Sequence, residues 1–383
     1  MVARLALRIA VELTLALLGS ALIAWAVVAN QQWFDRHFLP AFFVSREAYI
    51  WWESLGRIGA AVAGASVALV LRPRIGRFVA RKAALTLNAT LAALMAIAVS
   101  EFALGYVHRH AAEEEPVGRE PRRRLDPQLG WTFVPSRVAR QMEGGRIIEY
   151  AFDPSGYRVR RLDEPVDPER PTIVFTGESM VVGEGLAWEE SVPAQTGASL
   201  GIQTANLAVS AYASDQAFMR LRSELPRFRH PIAVVSMFTP TLFDRNLDDD
   251  RPHLGQGLVW LPATERWRLL EILRLLVRYR REETIERGVA VTREVLRETC
   301  RLARARGAPP LIVVPQFMPE EPAERAVRQR VLDGTDIPVV RIDLDGRWRI
   351  PGDGHPDARA AHAIAVAIAT RLRTSSDLPG ESP

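Results

Sequence analysis

Apolar residues fall into two regimes along the 383-residue chain. Over the first hundred positions they run almost unbroken. Residues 13–28 are apolar throughout, 58–71 (IGAAVAGASVALVL) extend back through Trp51 and Trp52, and 83–107 form the longest run. A helix needs about 20 mostly apolar residues to cross a bilayer. The pattern predicts a membrane anchor, residues 1–107, with about three spans at 8–29, 51–71 and 83–107. The first run alone also reads as a signal peptide. Two more apolar segments follow and no small-x-small site precedes a mature start, which favours an anchor.

From residue 171 onward the pattern changes. Short strand-like runs at 172–176, 203–207, 232–238 (IAVVSMF, fully apolar), 311–315 (LIVVP) and 339–342 alternate with longer mixed segments at 191–199, 214–225, 265–281, 284–306 and 356–372. Strands buried on both faces and separated by helices predict a parallel sheet covered on two sides. Between the regimes lie a charged linker at 108–124 (HRHAAEEEPVGREPRRR) and a β-rich preface at 125–170. The preface has turn signals at Asp126-Pro127, Gly144-Gly145 and Pro154-Ser155-Gly156. The α/β domain spans 171–375, and 376–383 reads as a disordered tail. No internal repeat is present.

Charge orients the anchor. The short loop expected at 72–82 (RPRIGRFVARK) carries five cations and no acid, whereas the loop at 31–57 is mixed. Positive residues stay inside, which puts 72–82 in the cytoplasm and everything after 107 outside. Trp33, Phe34, Phe42, Phe43, Tyr49, Trp51 and Trp52 collect near the outer ends as an aromatic belt does. The net charge of +4 comes from scattered arginines and gives no clustered nucleic-acid footprint. The single cysteine, Cys300, excludes an internal disulfide and reads as a packed small hydrophobe. Glu101 is an acid near the end of the third span.

Candidate chemistry sits at two strand-to-helix junctions. Residues 175–185 read FTGESMVVGEG, so the first strand of the α/β domain ends in a small-residue turn that presents Ser179. A capping serine in a βα turn is the plain alternative. Residues 351–362 read PGDGHPDARAAH and put Asp353 and His355 just ahead of the last helix. In an open α/β sheet that loop meets the carboxyl edge where ligands bind. A serine hydroxyl attacks only when an imidazole takes its proton, and the imidazole needs a carboxylate to fix its tautomer. Ser179, His355 and Asp353 supply that set, and the chemistry calls for no cofactor.

The region from about 125 to the end resembles the SGNH/GDSL hydrolases. Gly177-Glu178-Ser179 stands where that family has Gly-Asp-Ser. Asn206-Leu-Ala-Val-Ser-Ala-Tyr212 matches Asn-x-Gly-x-x-Gly-Tyr, and Asp353-Gly-His355-Pro356 matches the closing Asp-x-(x)-His-Pro block. The resemblance implies a flavodoxin-like three-layer α/β/α sandwich and a Ser-His-Asp triad. It also implies an oxyanion hole from the backbone N–H of Ser179, the backbone N–H at the glycine position, which is Ala208 here, and the asparagine position, which aligns with Thr241. Asn246 is an alternative to Thr241. Glu178 is expected to bond nearby backbone. The Gly-x-Ser-x-Gly elbow of α/β-hydrolases is absent, since Val181 takes its second glycine position.

Two functions follow. One is a membrane-anchored serine esterase or acyl transferase acting on acylated envelope glycans or lipids. The other is a catalytically weak binding module in envelope or polysaccharide assembly, motivated by Ala208 and Thr241. A transporter built on the three spans is disfavoured by how little charge the apolar runs carry. Asp248, Asp249 and Asp250 lack Ca²⁺-loop spacing and read as a solvated turn rather than a cation site, and Trp260 and Trp267 read as packed against helices, with the lining of a substrate cleft as the alternative.

Overall fold

A computed structural model describes residues 2–30, 39, 46–110, 122–264, 266–270 and 280–374. The chain divides into two compact units: Met1–Phe38, Val44–His108 and Arg266–Arg281 form one, and Leu39–Phe43, Arg109–Glu265 and Glu282–Pro383 the other. Part of the aromatic belt, most of the linker, most of 265–281 and the tail lie outside the described residues.

The first unit contains α1 (Val2–Val28), α2 (Arg46–Ala65), a π-helical stretch (Ser66–Leu71), α3 (Arg72–Arg81) and α4 (Ala83–His110). Three stretches, Arg4–Val28, Arg46–Arg81 and Ala83–Val107, are long and apolar enough to cross a membrane. The helix α1 runs against α2 through glycines: a Cβ on Gly19 would stand 2.7 Å from the Gly64 carbonyl oxygen, and the converse holds. Small residues permit such close backbone approach between helices in lipid. The segment 72–82, expected as a loop, is helical to Arg81. Its Pro73 sits in the first turn of α3, where a missing N–H costs nothing. Glu101 is not a stranded charge. Its carboxylate accepts the backbone N–H groups of Arg268 and Leu269, which open a helical turn and lack intrahelical acceptors.

The second unit is built on an eight-stranded sheet. Five parallel strands form its body: β6 (Thr172–Thr176), β7 (Gln203–Asn206), β8 (Pro231–Met237), β11 (Pro310–Met318) and β12 (Val339–Asp345), in the order β7-β6-β8-β11-β12. Counted along the body that is 2-1-3-4-5, the flavodoxin-like order. The expected α/β fold with a mostly parallel sheet is therefore present. The preface joins this sheet. Its strands β3 (Arg137–Glu143), β4 (Arg146–Phe152) and β5 (Arg158–Val159) continue the same sheet antiparallel beyond β7, while β1 (Arg123–Asp126) and β2 (Gly130–Phe133) pair on their own.

Period-2 alternation divides the apolar strands between two cores. Ile173, Phe175, Val235 and Val313 face Ile364 and Ile368 of α10 (Ala358–Thr374). Their neighbours Val174 and Val234 pack with Leu221 of α7 (Ser214–Glu224), and Ile312 and Val314 with Leu296 and Cys300 of α8 (Glu282–Ala305). Cys300 is a packed hydrophobe, and burial pushes its thiol up to about 11. The shorter helices α5 (Ser179–Val182), α6 (Val192–Leu200) and α9 (Pro322–Leu332) complete the layers.

Candidate active site

The strand β6 is buried throughout and lies at the switch point, with its successors β7 and β8 on opposite sides. Ligands in such sheets bind at the carboxyl edge of that position. Past Thr176 the chain turns through Gly177 at φ 154°, where a Cβ would stand 2.7 Å from Val181 Cγ2. Glu178 then caps α5: its Oε2 accepts the Met180 N–H at 3.1 Å, and Ser179 becomes the first helical residue.

Four residues of helix do not hold themselves, so their orphan carbonyls need partners. Asn206 Nδ2 donates to Val181 O at 2.9 Å. The fully buried Arg158 donates from Nη1 to Val182 O (2.6 Å) and Gly183 O (2.8 Å), and from Nη2 to Leu186 O (2.7 Å). Its guanidinium lies 4.5 Å from the centre of the Tyr150 ring. Gly183 (φ 81°) leaves room for it, because a Cβ there would stand 2.8 Å from Nη1. Arg158 positions the serine, and nothing in its sequence context marked it.

The turn before α10 brings the second half. His355 Nε2 lies 2.9 Å from Ser179 Oγ, and Asp353 Oδ1 hydrogen-bonds His355 Nδ1 and accepts the His355 backbone N–H. Ser179 is 4% exposed and His355 7%. The bond to His355 holds the Asp353 carboxyl below its usual range. Burial opposes charge on His355, but Asp353, Glu178 and Glu184 outweigh it and raise the imidazole above its ordinary value. Ser179 Oγ also donates to Glu178 Oε2 at 2.6 Å. One hydroxyl proton thus has two acceptors in reach, the imidazole and the Glu178 carboxylate.

Glu184 is a further buried carboxylate that acts on His355 through its charge. It accepts from Ser210 Oγ and from Arg122 Nη2 (2.6 Å), all three buried. Burial pushes the Glu184 carboxyl up, but Arg122 and Ser210 prevail and hold it below its usual value. Sequence reading missed Arg122, Glu184 and Ser210. Glu184 and Ser210 do fall inside the two quoted motif blocks, which was the available signal.

The remaining expected residues fare differently. The Ala208 N–H donates to Asn206 Oδ1 at 3.2 Å, so it is already engaged. Ala208 carries no left-handed strain, although a family glycine position is where such dihedrals would be tolerated. That strain falls on Ala211, at the second glycine position of the block, with φ 67°. Thr241 is half-buried on the 3₁₀ turn Pro240–Leu247 after β8. Asn246 on the same turn is committed elsewhere, with Oδ1 accepting the Ser214 N–H and Nδ2 donating to Ser214 Oγ and Thr292 Oγ1. A cavity of about 20 Å³ beside Gly177, Glu178, Tyr212 and Thr239 has room for about one water. Trp260 and Trp267 do not pack away: they are 42% and 66% exposed, and Trp260 borders a separate cavity of about 670 Å³ with Arg124, Arg222 and Glu224.

No family model and no curated protein matches the chain. Solved structures do. A lipolytic G-D-S-L family protein from Desulfitobacterium hafniense is 11% identical over 52% of this chain and 98% of its own, with a TM-score of 0.34. An arylesterase from Agrobacterium tumefaciens is 17% identical over 53% and 98%, TM-score 0.34. An acetyl xylan esterase from Butyrivibrio proteoclasticus is 9% identical over 57% and 67%, TM-score 0.34. Likeness at this level carries no chemistry, which rests on the strand order and side-chain geometry. In the order of its three motif blocks and in the sheet that carries them, the chain resembles the SGNH/GDSL hydrolases.

Proposed function

We propose that the protein is a membrane-anchored serine hydrolase or acyl transferase of the SGNH/GDSL type, with its α/β domain on the outer face of a bacterial inner membrane. The 2.9 Å approach of Ser179 Oγ to His355 Nε2, with Asp353 on the other ring nitrogen, carries this reading. Ser179 Oγ attacks an ester carbonyl carbon while His355 takes its proton. The carbonyl π pair moves onto oxygen, held by the Ser179 N–H, which as the first N–H of α5 has no intrahelical acceptor. Collapse expels the alcohol, which leaves with the proton from His355. Water, or an acceptor hydroxyl, then attacks the acyl carbon as His355 takes its proton, and collapse breaks the acyl–Oγ bond while His355 returns that proton to Ser179 Oγ. Ala208 joins the oxyanion hole only by exchanging Asn206 Oδ1 for the substrate oxygen. The anchor and the cationic 72–82 segment support the orientation, and an acylated envelope glycan or lipid is the substrate class that fits it.

A catalytically weak binding module is the second reading, favoured by the engaged Ala208 N–H. A fluorophosphonate probe separates the two. The hydrolase forms a covalent adduct that Ser179→Ala abolishes, whereas a folded protein that takes no label is the binder.

A further inference from the structure

We infer that Arg245 supplies a charged oxyanion donor, in the role the sequence assigned to Thr241. The inference rests on the proposed hydrolytic reading of Ser179 and deepens it. The neutral donors expected beside the serine are occupied: Ala208 N–H by Asn206, and Asn246 by Ser214 and Thr292. Arg245 shares the 3₁₀ turn with Thr241 and Asn246, and its backbone carbonyl is fixed by Arg251 Nη2 at 2.9 Å. Its Nη1 is buried and makes no hydrogen bond. That nitrogen lies 3.9 Å from Glu178 Oε2, the oxygen that accepts from Ser179 Oγ at 2.6 Å.

The pair Glu178–Arg245 is therefore held open, in Coulombic range but beyond hydrogen-bond length. Through Glu178 the guanidinium stands at most about 6.5 Å from the nucleophile oxygen, so an adduct's oxyanion directed toward it, about 2.3 Å from that oxygen, lies within about 4.2 Å of it, and a side-chain movement of about 1 Å closes one N–H···O contact of about 2.9 Å. The donor has no hydrogen-bond partner in the resting site and gains one as charge develops. An interaction made only in the transition state raises turnover rather than affinity. An arginine cannot be deprotonated at working pH, so this donor does not titrate with the imidazole.

The test uses the full chain in detergent, with p-nitrophenyl acetate turnover and fluorophosphonate labelling read in parallel. Arg245→Met is expected to lower kcat roughly 10²–10³-fold, as loss of one oxyanion donor does, while KM changes by less than about threefold. Arg245→Lys keeps the charge, guards against misfolding, and recovers part of the loss. The loss persists in a Glu178→Gln background, because the partner is the oxyanion and not Glu178. A kcat within about twofold of wild type for Arg245→Met overturns the inference. So does a loss that vanishes in Glu178→Gln, which makes Arg245 only a counter-charge. Wild-type protein that neither labels at Ser179 nor turns over overturns the hydrolytic reading itself, and the inference with it.

Discussion

Replacing Glu178 by glutamine removes a charge beside the imidazole and keeps the shape of the turn. The amide oxygen still accepts the Met180 N–H that caps α5 and still accepts from Ser179 Oγ. Two hydrogen bonds, 2.6 Å and 2.9 Å, join Glu178 Oε2 through Ser179 Oγ to His355 Nε2. The carboxylate therefore lies at most about 5.5 Å from the imidazole, and at an effective dielectric of about 20 the pair is worth about 3 kcal/mol, or about 2 pH units. Arg245, 3.9 Å from the same carboxylate, offsets part of this. A shift of about 1 unit is the working figure.

The sign follows from the environment of His355. Burial lowers its affinity for a proton, while Asp353, Glu178 and Glu184 raise it further, so the folded imidazole titrates above its ordinary value. Only neutral imidazole accepts the serine proton, so kcat/KM rises with pH through that raised value. Glu178→Gln deletes one of the raising charges. The acid limb of the kcat/KM profile should move about 1 unit toward lower pH. The plateau should fall several-fold, because a weaker base also gains less from the imidazolium that forms in the transition state. A neutral substrate such as p-nitrophenyl acetate keeps the limb a property of the enzyme, and the pH dependence of fluorophosphonate labelling gives an independent trace. A limb that stays put, or moves to higher pH, refutes the electrostatic argument.

Two further outcomes test the scaffold. Restoring glycine at the two alanines of the second block should act oppositely: Ala211→Gly relieves a left-handed alanine that costs about 1 kcal/mol and should leave thermal stability unchanged or raised. Ala208→Gly relieves no such strain and should cost about 0.5–1 kcal/mol. Arg122→Met leaves Glu184 as a buried unpaired carboxylate and should destabilise by about 3–5 kcal/mol in denaturant titration near neutral pH, with Glu184→Gln recovering most of it. Glu184 is held below its ordinary value, so the pair stabilises above about pH 4.3 and loses that contribution as pH falls through the depressed value. The gap between Arg122→Met and wild type should narrow in acid.

Much of the architecture was legible because it depends on local pattern. Strands such as 232–238 are apolar on both faces whatever surrounds them, and Ser179, Asp353 and His355 sit in short motifs at helix entrances. What escaped the sequence depends on tertiary placement. Arg158 looks like one more arginine, and only the fold shows that it threads under α5 to collect three carbonyls. The preface strands were legible as β structure, but their turn signals fix hairpins and not the neighbour beyond β7. The span ending at Leu71 was expected to yield to a loop because five cations follow, yet those cations fit a helix as well as a turn. Ala208 and Ala211 are the same residue type in the same block, and backbone dihedrals alone separate the strained one from the relaxed one.

The groups around Ser179 are coupled. Asn206 takes the Ala208 N–H while its amide nitrogen holds Val181, so one side chain both braces α5 and withdraws a neutral donor. Glu178 adds a carboxylate at the serine, and Arg245 adds the opposite charge across a 3.9 Å gap. Arg122 and Glu184 form a further buried pair, and the Glu184 charge raises the proton affinity of His355. Buried ion pairs contribute little net stability, and well-packed apolar residues of similar volume often serve as well or better. Packing alone therefore gives weak reason for two acid–arginine pairs to converge on one serine–histidine contact. Tuning does: one pair acts on the proton affinity of the base, and the other places a cation where an ester would develop negative charge. On the proposed mechanism, a cradle of neutral amides has been exchanged for charged groups, which act strongly where water is excluded.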